Sequence, residues 1–233
     1  MRPNAQRARS VIVLLWILLA IQLISLCLTY LRYEYATSVR DFLPSFVFDI
    51  WDRVLLANAV VKLLNAAISL AIIVVFICWF RRAYYNLHLL TDKLSFKEGW
   101  AAGAWFVPFL NLVRPYRIMK EMVEESQELL VDHKLADYND ARVRRVRTWW
   151  TFWIVNFIVT RFILRAELMS PTLETQIKLS IATMIMAVFG IIMILVTVRM
   201  INDYRDMEKL LPLVQKAEGR AIVLNDSDIL DSI

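Results

Sequence analysis

The sequence predicts an all-α membrane protein with four transmembrane helices, an interfacial or re-entrant segment and an amphipathic cytoplasmic helix. Three observations carry this. Apolar residues make up 59% of the 233, against roughly 45–50% in an ordinary soluble domain. Glycine and proline are scarce, at 4 and 6, which favours long helices over a turn-rich β fold. Four apolar runs also approach the ~20 residues needed to cross a hydrocarbon core.

In chain order, residues 1–10 form a basic tail carrying Arg2, Arg7 and Arg9. The first span, about 11–31, is longer than the roughly 7–15-residue apolar stretch of a signal peptide and is followed by no A-x-A site, so it reads as a retained anchor. Phe42, Phe46, Phe48, Trp51 and Leu55 then make the next stretch too apolar for a free loop. They suit an interfacial helix starting near Pro44. The second span covers about 59–80. The third, about 148–164, is shorter and contains Arg161. The fourth covers about 177–198. The tail 199–233 turns polar; its first part can extend the fourth span as a short helix interrupted by Pro212, and its acidic last residues suit a frayed end. Cys27 and Cys78 each lie in an apolar run and form no CxxC pair or disulfide framework.

Charge sets the orientation. Arg32 to Asn58 holds three basic and four acidic residues, and Arg165 to Gln176 one and two, whereas Arg81 to Arg147 holds twelve Lys and Arg. The N-terminus, the middle segment and the C-terminal tail are therefore expected on the cytoplasmic side. The "RVRRVR" run at Arg142 to Arg147 fits a topology determinant beside anionic headgroups. It is too short for a nucleic-acid site, and Val143 and Val146 would need burial.

Within the middle segment, residues 100–113 are apolar but cover only roughly 21 Å as a helix, short of the ~30 Å core. Pro108 would also remove an internal hydrogen bond. A fifth span would put "RVRRVR" outside. The segment therefore either lies in the interface, anchored by Trp100 and Trp105, or dips in and returns with irregular backbone near Pro108–Asn111. Pro115 suits the first turn of a new helix over 115–131. That helix carries Ile118, Met119, Met122, Val123, Leu129 and Leu130 near one face, with Lys120, Glu121, Glu124, Glu125 and Glu128 mostly elsewhere.

The succession W-x-x-R-x-x-x-N, then G-W, W-F-x-P and R-P-Y-x-x-x-K-E resembles the bacterial membrane family catalogued as domain of unknown function 4328, and the "RPNAQRA" opening looks like its members from the Bacteroidota. The signature falls on Trp79, Arg82, Asn86, Trp100, Pro108, Arg114, Pro115 and Glu121. Arg81 and Arg82 compete for its arginine slot, and counting from Trp79 favours Arg82. The resemblance implies a multi-pass protein of a bacterial inner membrane. It supplies no catalytic residue.

Arg82, Asn86, Trp100, Pro108, Asn111, Arg114 and Glu121 form the candidate cluster. One reading is structural, with Arg82 or Arg114 paired to Glu121 and Asn86 satisfying loose backbone groups. The other is a site for an anion or a lipid headgroup, built from guanidinium and amide donors. Lys62, Asn65, Asn156 and Arg161 are polar residues inside spans, where such groups are costly. Snorkelling and local pairing are set against an outer cationic cluster balanced by Glu34, Asp49 or Glu167. No HExxH, GxSxG, P-loop or GxGxxG pattern occurs. The expectation is a non-enzymatic scaffold, or a lipid- or partner-sensing protein at the cytoplasmic face, without cofactor, metal or nucleic acid. Its expected partners are the bilayer, anionic headgroups, a second copy or another membrane protein. The alternative is a small oligomeric transporter or channel, in which Asn65, Asn156 and Arg161 would face a hydrated cavity.

Overall fold

The computed structural model describes residues 1–39, 46–169 and 172–217. Those residues are helical, with no strand among them. The elements are α1 (Ala5–Val39), α2 (Phe46–His88), α3 (Trp100–Gly103), a 3₁₀ turn at Leu110–Leu112, α4 (Arg114–Asp132), α5 (Asp140–Met169) and α6 (Leu173–Glu208). The chain divides into two compact units. Unit 1 contains Met1–Ser10, Val75–Thr148 and Arg199–Ile233; unit 2 contains Val11–Val74 and Trp149–Val198.

Unit 2 holds the apolar stretches of α1, α2, α5 and α6. Three helices are long and apolar enough to cross a membrane, in Ala5–Thr37, Arg53–His88 and Ile177–Ala217, with hydropathies of 2.9, 2.6 and 2.7. The α5 stretch is not among them, because Arg161, Arg165 and the ring-rich start at Trp149, Trp150 and Trp153 dilute it. Four contacts nevertheless link the helices in a ring. Asn58 Nδ2 of α2 donates to the Leu28 carbonyl of α1 at 3.4 Å. Lys62 of α2 pairs with Glu167 of α5 at 3.0 Å. Phe152 of α5 stacks on Phe189 of α6 with centroids 4.6 Å apart. At Gly190 of α6, an added Cβ would lie 3.1 Å from Gln22 Nε2 of α1, so the missing side chain lets the two helices approach. Leu63, Leu70, Phe162 and Ile185, one or more on each of α2, α5 and α6, are each over 60% exposed, an outward apolar surface of the kind that marks a membrane contact.

Unit 1 is built around the end of α2, α4, the start of α5 and the end of α6. Trp79, Phe80, Tyr84, Leu87, Ile118, Met119, Met122, Ile201 and Tyr204 are completely buried. The α4 face buries Ile118, Met119, Met122, Val123 and Leu130 as its period predicts, with Pro115 in its first turn. It also buries Ser126 and Gln127, and Gln127 Oε1 accepts the Asn139 N–H at 2.9 Å. The "RVRRVR" run lies in the first turns of α5. Val146 is completely buried, Arg145 pairs with Asp203 of α6 at 2.6 Å, and Arg142 reaches Gln127 at 3.5 Å.

Two expectations change. The aromatic stretch from Phe46 is no separate interfacial helix, since it runs into the second span as one helix to His88; Phe42 and Pro44 lie outside the described residues. The expected interruption at Pro212 falls four residues earlier. Pro212 has no N–H for the Glu208 carbonyl, so α6 stops at Glu208 and helix resumes over 211–217. The acidic end of the tail is outside the described residues.

The end of α4 is a left-handed stop. Lys134 has φ 54°, and the Leu135 N–H bonds back to the Leu130 carbonyl at 2.8 Å, the bond of a Schellman cap. A side chain in this conformation costs about 1–2 kcal/mol relative to glycine. Lys134→Gly is expected to stabilise unit 1 by about 1 kcal/mol, read as a rise in melting temperature of the purified protein. A fall would mean that the Lys134 side chain makes a compensating contact.

Candidate functional site: a clasp and an apolar tip

Residues 79 and 86 lie seven apart on α2, two turns along one face. Trp79 packs edge-on against Tyr204 of α6, centroids 5.8 Å apart. Asn86 grips the N-terminal tail: its Oδ1 accepts the Arg2 N–H at 2.9 Å and its Nδ2 donates to the Arg2 carbonyl at 2.9 Å. The second Nδ2 hydrogen goes to Glu208 Oε1 at 3.0 Å. Asn4 Nδ2 approaches both Glu208 oxygens, at 3.1 and 3.2 Å, and the Trp79 carbonyl at 3.4 Å. Two asparagine amides thus hold one carboxylate and draw the tail, α2 and α6 together. A cleft of ≈ 270 Å³ beside them is lined by Arg2, Asn4, Asn86, Arg205, Glu208 and Pro212 among others. No basic side chain is ion-paired with Glu208 among the described residues.

Arg82 lies on the neighbouring face of α2, half-buried. Its neighbours on that side of α2 are reached by the tail: Arg7 Nη1 lies 3.4 Å from the Cys78 carbonyl and the Arg2 guanidinium lies over Tyr85. Arg81, the other candidate for the arginine slot, pairs with Glu98 at 3.3 Å.

Glu121 is held by other groups than the arginines expected of it. Its Oε2 accepts the Tyr84 hydroxyl at 2.8 Å and its Oε1 accepts the Ser95 N–H at 2.6 Å. Tyr84 Oη also accepts the Phe96 N–H at 3.3 Å, so this pair fastens the loop before α3 to α2 and α4. Arg114 instead lies over the Trp100 ring, 3.8 Å from its centroid. Its Nη1 is buried without a hydrogen-bond partner among the described residues, which leaves stacking as its main contact. Along α4 the acidic residues crowd: burial first, then Glu128, raises the Glu125 pKa above its ordinary value, with Lys93 opposing.

Trp100 and Trp105 are not the outward anchors that aromatic character alone suggests. Trp105 packs edge-on against Phe76 and Phe80 of α2, at 5.8 and 6.2 Å. The exposed aromatics are Phe106 and Phe109, at 75% and 82%. Pro108 is exposed beside them and Asn111 half-buried. Phe109 has φ 64° and ψ −39°, and the Leu110 N–H bonds to the Pro108 carbonyl at 2.8 Å. That is a γ-turn of the rare, strained hand. It turns the chain at an apolar tip completed by Val107, Leu112 and Val113.

In unit 2, Lys62 finds Glu167, one of the three acids considered for it. Asn65 Oδ1 lies 3.4 Å from the Ser69 hydroxyl, Arg161 sits over the Phe157 ring at 5.1 Å, and Asn156 is half-buried. They are not gathered at one point by any of these contacts.

Sequence reasoning missed Asn4, Glu208, Tyr84 and the grouping of Arg82 with Arg2 and Arg7. The one available signal was Glu208 lying four residues after Tyr204, on the same helix face.

A family model described as "Domain of unknown function (DUF4328)" matches residues 47–206. No curated protein and no solved structure matches the chain.

The clasp makes a two-variant prediction. Glu208→Gln keeps an acceptor for Asn4 and Asn86 while removing a buried charge, so stability at neutral pH is expected to hold or rise. Glu208→Ala strands both amides and is expected to cost about 2 kcal/mol. Thermal denaturation of the two purified variants checks this, and equal losses would show that the carboxylate charge itself is needed.

Proposed function

The chain belongs to this family of unknown function, and from that premise we propose that it is a four-span protein of a bacterial inner membrane, with both ends on the cytoplasmic side. It acts there without catalysis, as a scaffold or a sensor of lipid and membrane partners. The observation that carries this reading is the clasp. Asn4 and Glu208 are 204 residues apart and hydrogen-bonded, which supports a chain that returns to the side from which it left. Three crossings would put them on opposite sides, so adding α5 to the three more apolar helices is the count this contact favours. The ring of contacts through α5 and the exposure of its Phe162 support the same count. The twelve Lys and Arg of Arg81 to Arg147 favour the cytoplasm for that side.

The role follows from how the signature side chains are used. Trp79, Asn86, Trp100, Arg114 and Glu121 are spent on packing and on internal hydrogen bonds, an arrangement that supports holding a shape over turning over a substrate. The apolar tip from Phe106 to Val113 is the part left outward, and its chemistry suits the acyl chains just beneath the headgroups. Lys62 with Glu167, and Asn65 with Ser69, favour local pairing in the spans over a hydrated path.

Topology is tested by cysteine labelling after Cys27 and Cys78 are replaced by serine. Arg9→Cys and Lys216→Cys are expected to react with a membrane-impermeant reagent from the same side of sealed vesicles, and Thr172→Cys from the other. Labelling of positions 9 and 216 from opposite sides would overturn the four-span reading. The tip is tested separately with an environment-sensitive dye at Phe109→Cys in proteoliposomes. Its emission is expected to shift to the blue and to be quenched by spin-labelled lipid, whereas a water-like spectrum would exclude insertion.

A further inference from the structure

Three guanidinium groups gather along one strip of α2 with no carboxylate to balance them. Cys78, Arg82 and Tyr85 are spaced i, i+4, i+7, so they line one face of the helix over roughly 10 Å. The N-terminal tail runs over that face. Arg7 Nη1 reaches the Cys78 carbonyl at 3.4 Å, and the Arg2 guanidinium lies over the Tyr85 ring, 4.6 Å from its centroid. Position 82 lies between 78 and 85 along that face, so the Arg82 side chain starts between the two places that Arg7 and Arg2 reach. Among the described residues none of the three has an ion-pair partner. Arg81, one residue away and off the strip, has Glu98, and the carboxylate nearest the tail, Glu208, is occupied by Asn4 and Asn86.

The crowding is imposed by the clasp. Asn86 fixes both backbone groups of Arg2 and Asn4 fixes the chain two residues on, so the backbone that carries Arg2 and leads to Arg7 is held beside this face of α2. A protein that spends hydrogen bonds to hold like charges together is storing repulsion that a bound anion relieves. Guanidinium groups suit phosphate in particular, because each presents a planar fork of donors to two oxygens.

We propose that Arg2, Arg7 and Arg82 form a binding site for a phosphate group, carried by an anionic phospholipid headgroup. The inference rests on the cytoplasmic-face reading above for its access to lipid, and it names the site where that face recognises its ligand. The strip lies at the polar end of the helix that begins as the second span, the depth at which headgroup phosphates occur. A soluble phosphate compound offers the same chemistry, and the test separates the two.

The full-length protein is purified in detergent, and its melting temperature and lipid retention in native mass spectrometry are measured with phosphatidylglycerol, with phosphatidylcholine and with inorganic phosphate. The wild type is expected to retain phosphatidylglycerol over phosphatidylcholine and to melt higher in its presence. Arg7→Gln/Arg82→Gln is expected to lower phosphatidylglycerol retention about tenfold, the loss of roughly one charge-assisted hydrogen bond. Without lipid the same variant is expected to melt no lower than the wild type, because repulsion has been removed. A merely structural role predicts the reverse, a variant that is less stable without lipid and still responds to it, and that result would overturn the site. Arg9→Gln/Lys97→Gln removes as much charge from exposed positions and is expected to bind like the wild type; an equal loss there would reduce the effect to net charge and also overturn it. Stabilisation by inorganic phosphate, lost in Arg7→Gln/Arg82→Gln and unmatched by lipid, would keep the phosphate site and reject the lipid source. Selective retention that survives in the double variant would sink this site while leaving lipid sensing at the same face intact.

Discussion

Two asparagine side chains and one carboxylate hold the ends of this chain together. Asn86 binds a stretch of backbone as a neighbouring strand would, taking one N–H and one carbonyl of the same residue, and passes its remaining hydrogen to Glu208. Asn4 closes the figure from the tail. The net contribution of each such bond is modest, about 1 kcal/mol. Their placement matters more, because they decide where residues 1–10 lie, how α2 meets α6 in unit 1, and which side chains the tail lays along α2. The proposed even number of crossings and the proposed phosphate site both rest on this one arrangement, although one is a matter of topology and the other of charge.

The other half of the family signature works on a different problem. A strained γ-turn at Phe109 has to be carried by its surroundings. Trp105 wedged against Phe76 and Phe80, Trp100 beneath Arg114, and Glu121 stitched to Tyr84 and the Ser95 N–H fix the chain on both sides of it. The signature tryptophan and arginine therefore serve as ballast for the two phenylalanines that point outward.

Much of the architecture was legible because it rests on local composition and period. Long apolar runs gave the helices of unit 2, Pro115 gave the start of α4, and the i, i+3, i+4 spacing gave its buried face. The Arg161-bearing run was the least apolar of the four, and by hydropathy α5 alone remains short of a span; the relation between Asn4 and Glu208, which no local pattern reports, is what argues for it. Trp100 and Trp105 were assigned outward because amphipathic rings favour interfaces, but ring chemistry does not say which way a turn faces, and the partners Phe76, Phe80 and Arg114 come from other elements. Arg82 was grouped with Arg114 because they share a signature. The proposed site groups it instead with Arg2 and Arg7, which are separated from it by nearly all of α1 and most of α2.

The distance between Asn4 and Glu208 along the chain also bears on the order of assembly. Helices that pair with their sequence neighbours can settle as they are made, since little loop entropy opposes them. Unit 1 has that option only in part, since Glu121 meets the nearby Tyr84 but Asn4 meets Glu208 across 204 residues. Asn4 precedes every apolar helix, and the carboxylate it binds follows them all. Until α6 has emerged, the tail has only half of its partners and Trp79 lacks the Tyr204 ring. The contact among Asn4, Asn86 and Glu208 is thus complete only once α6 is present, whatever order the other helices settle in.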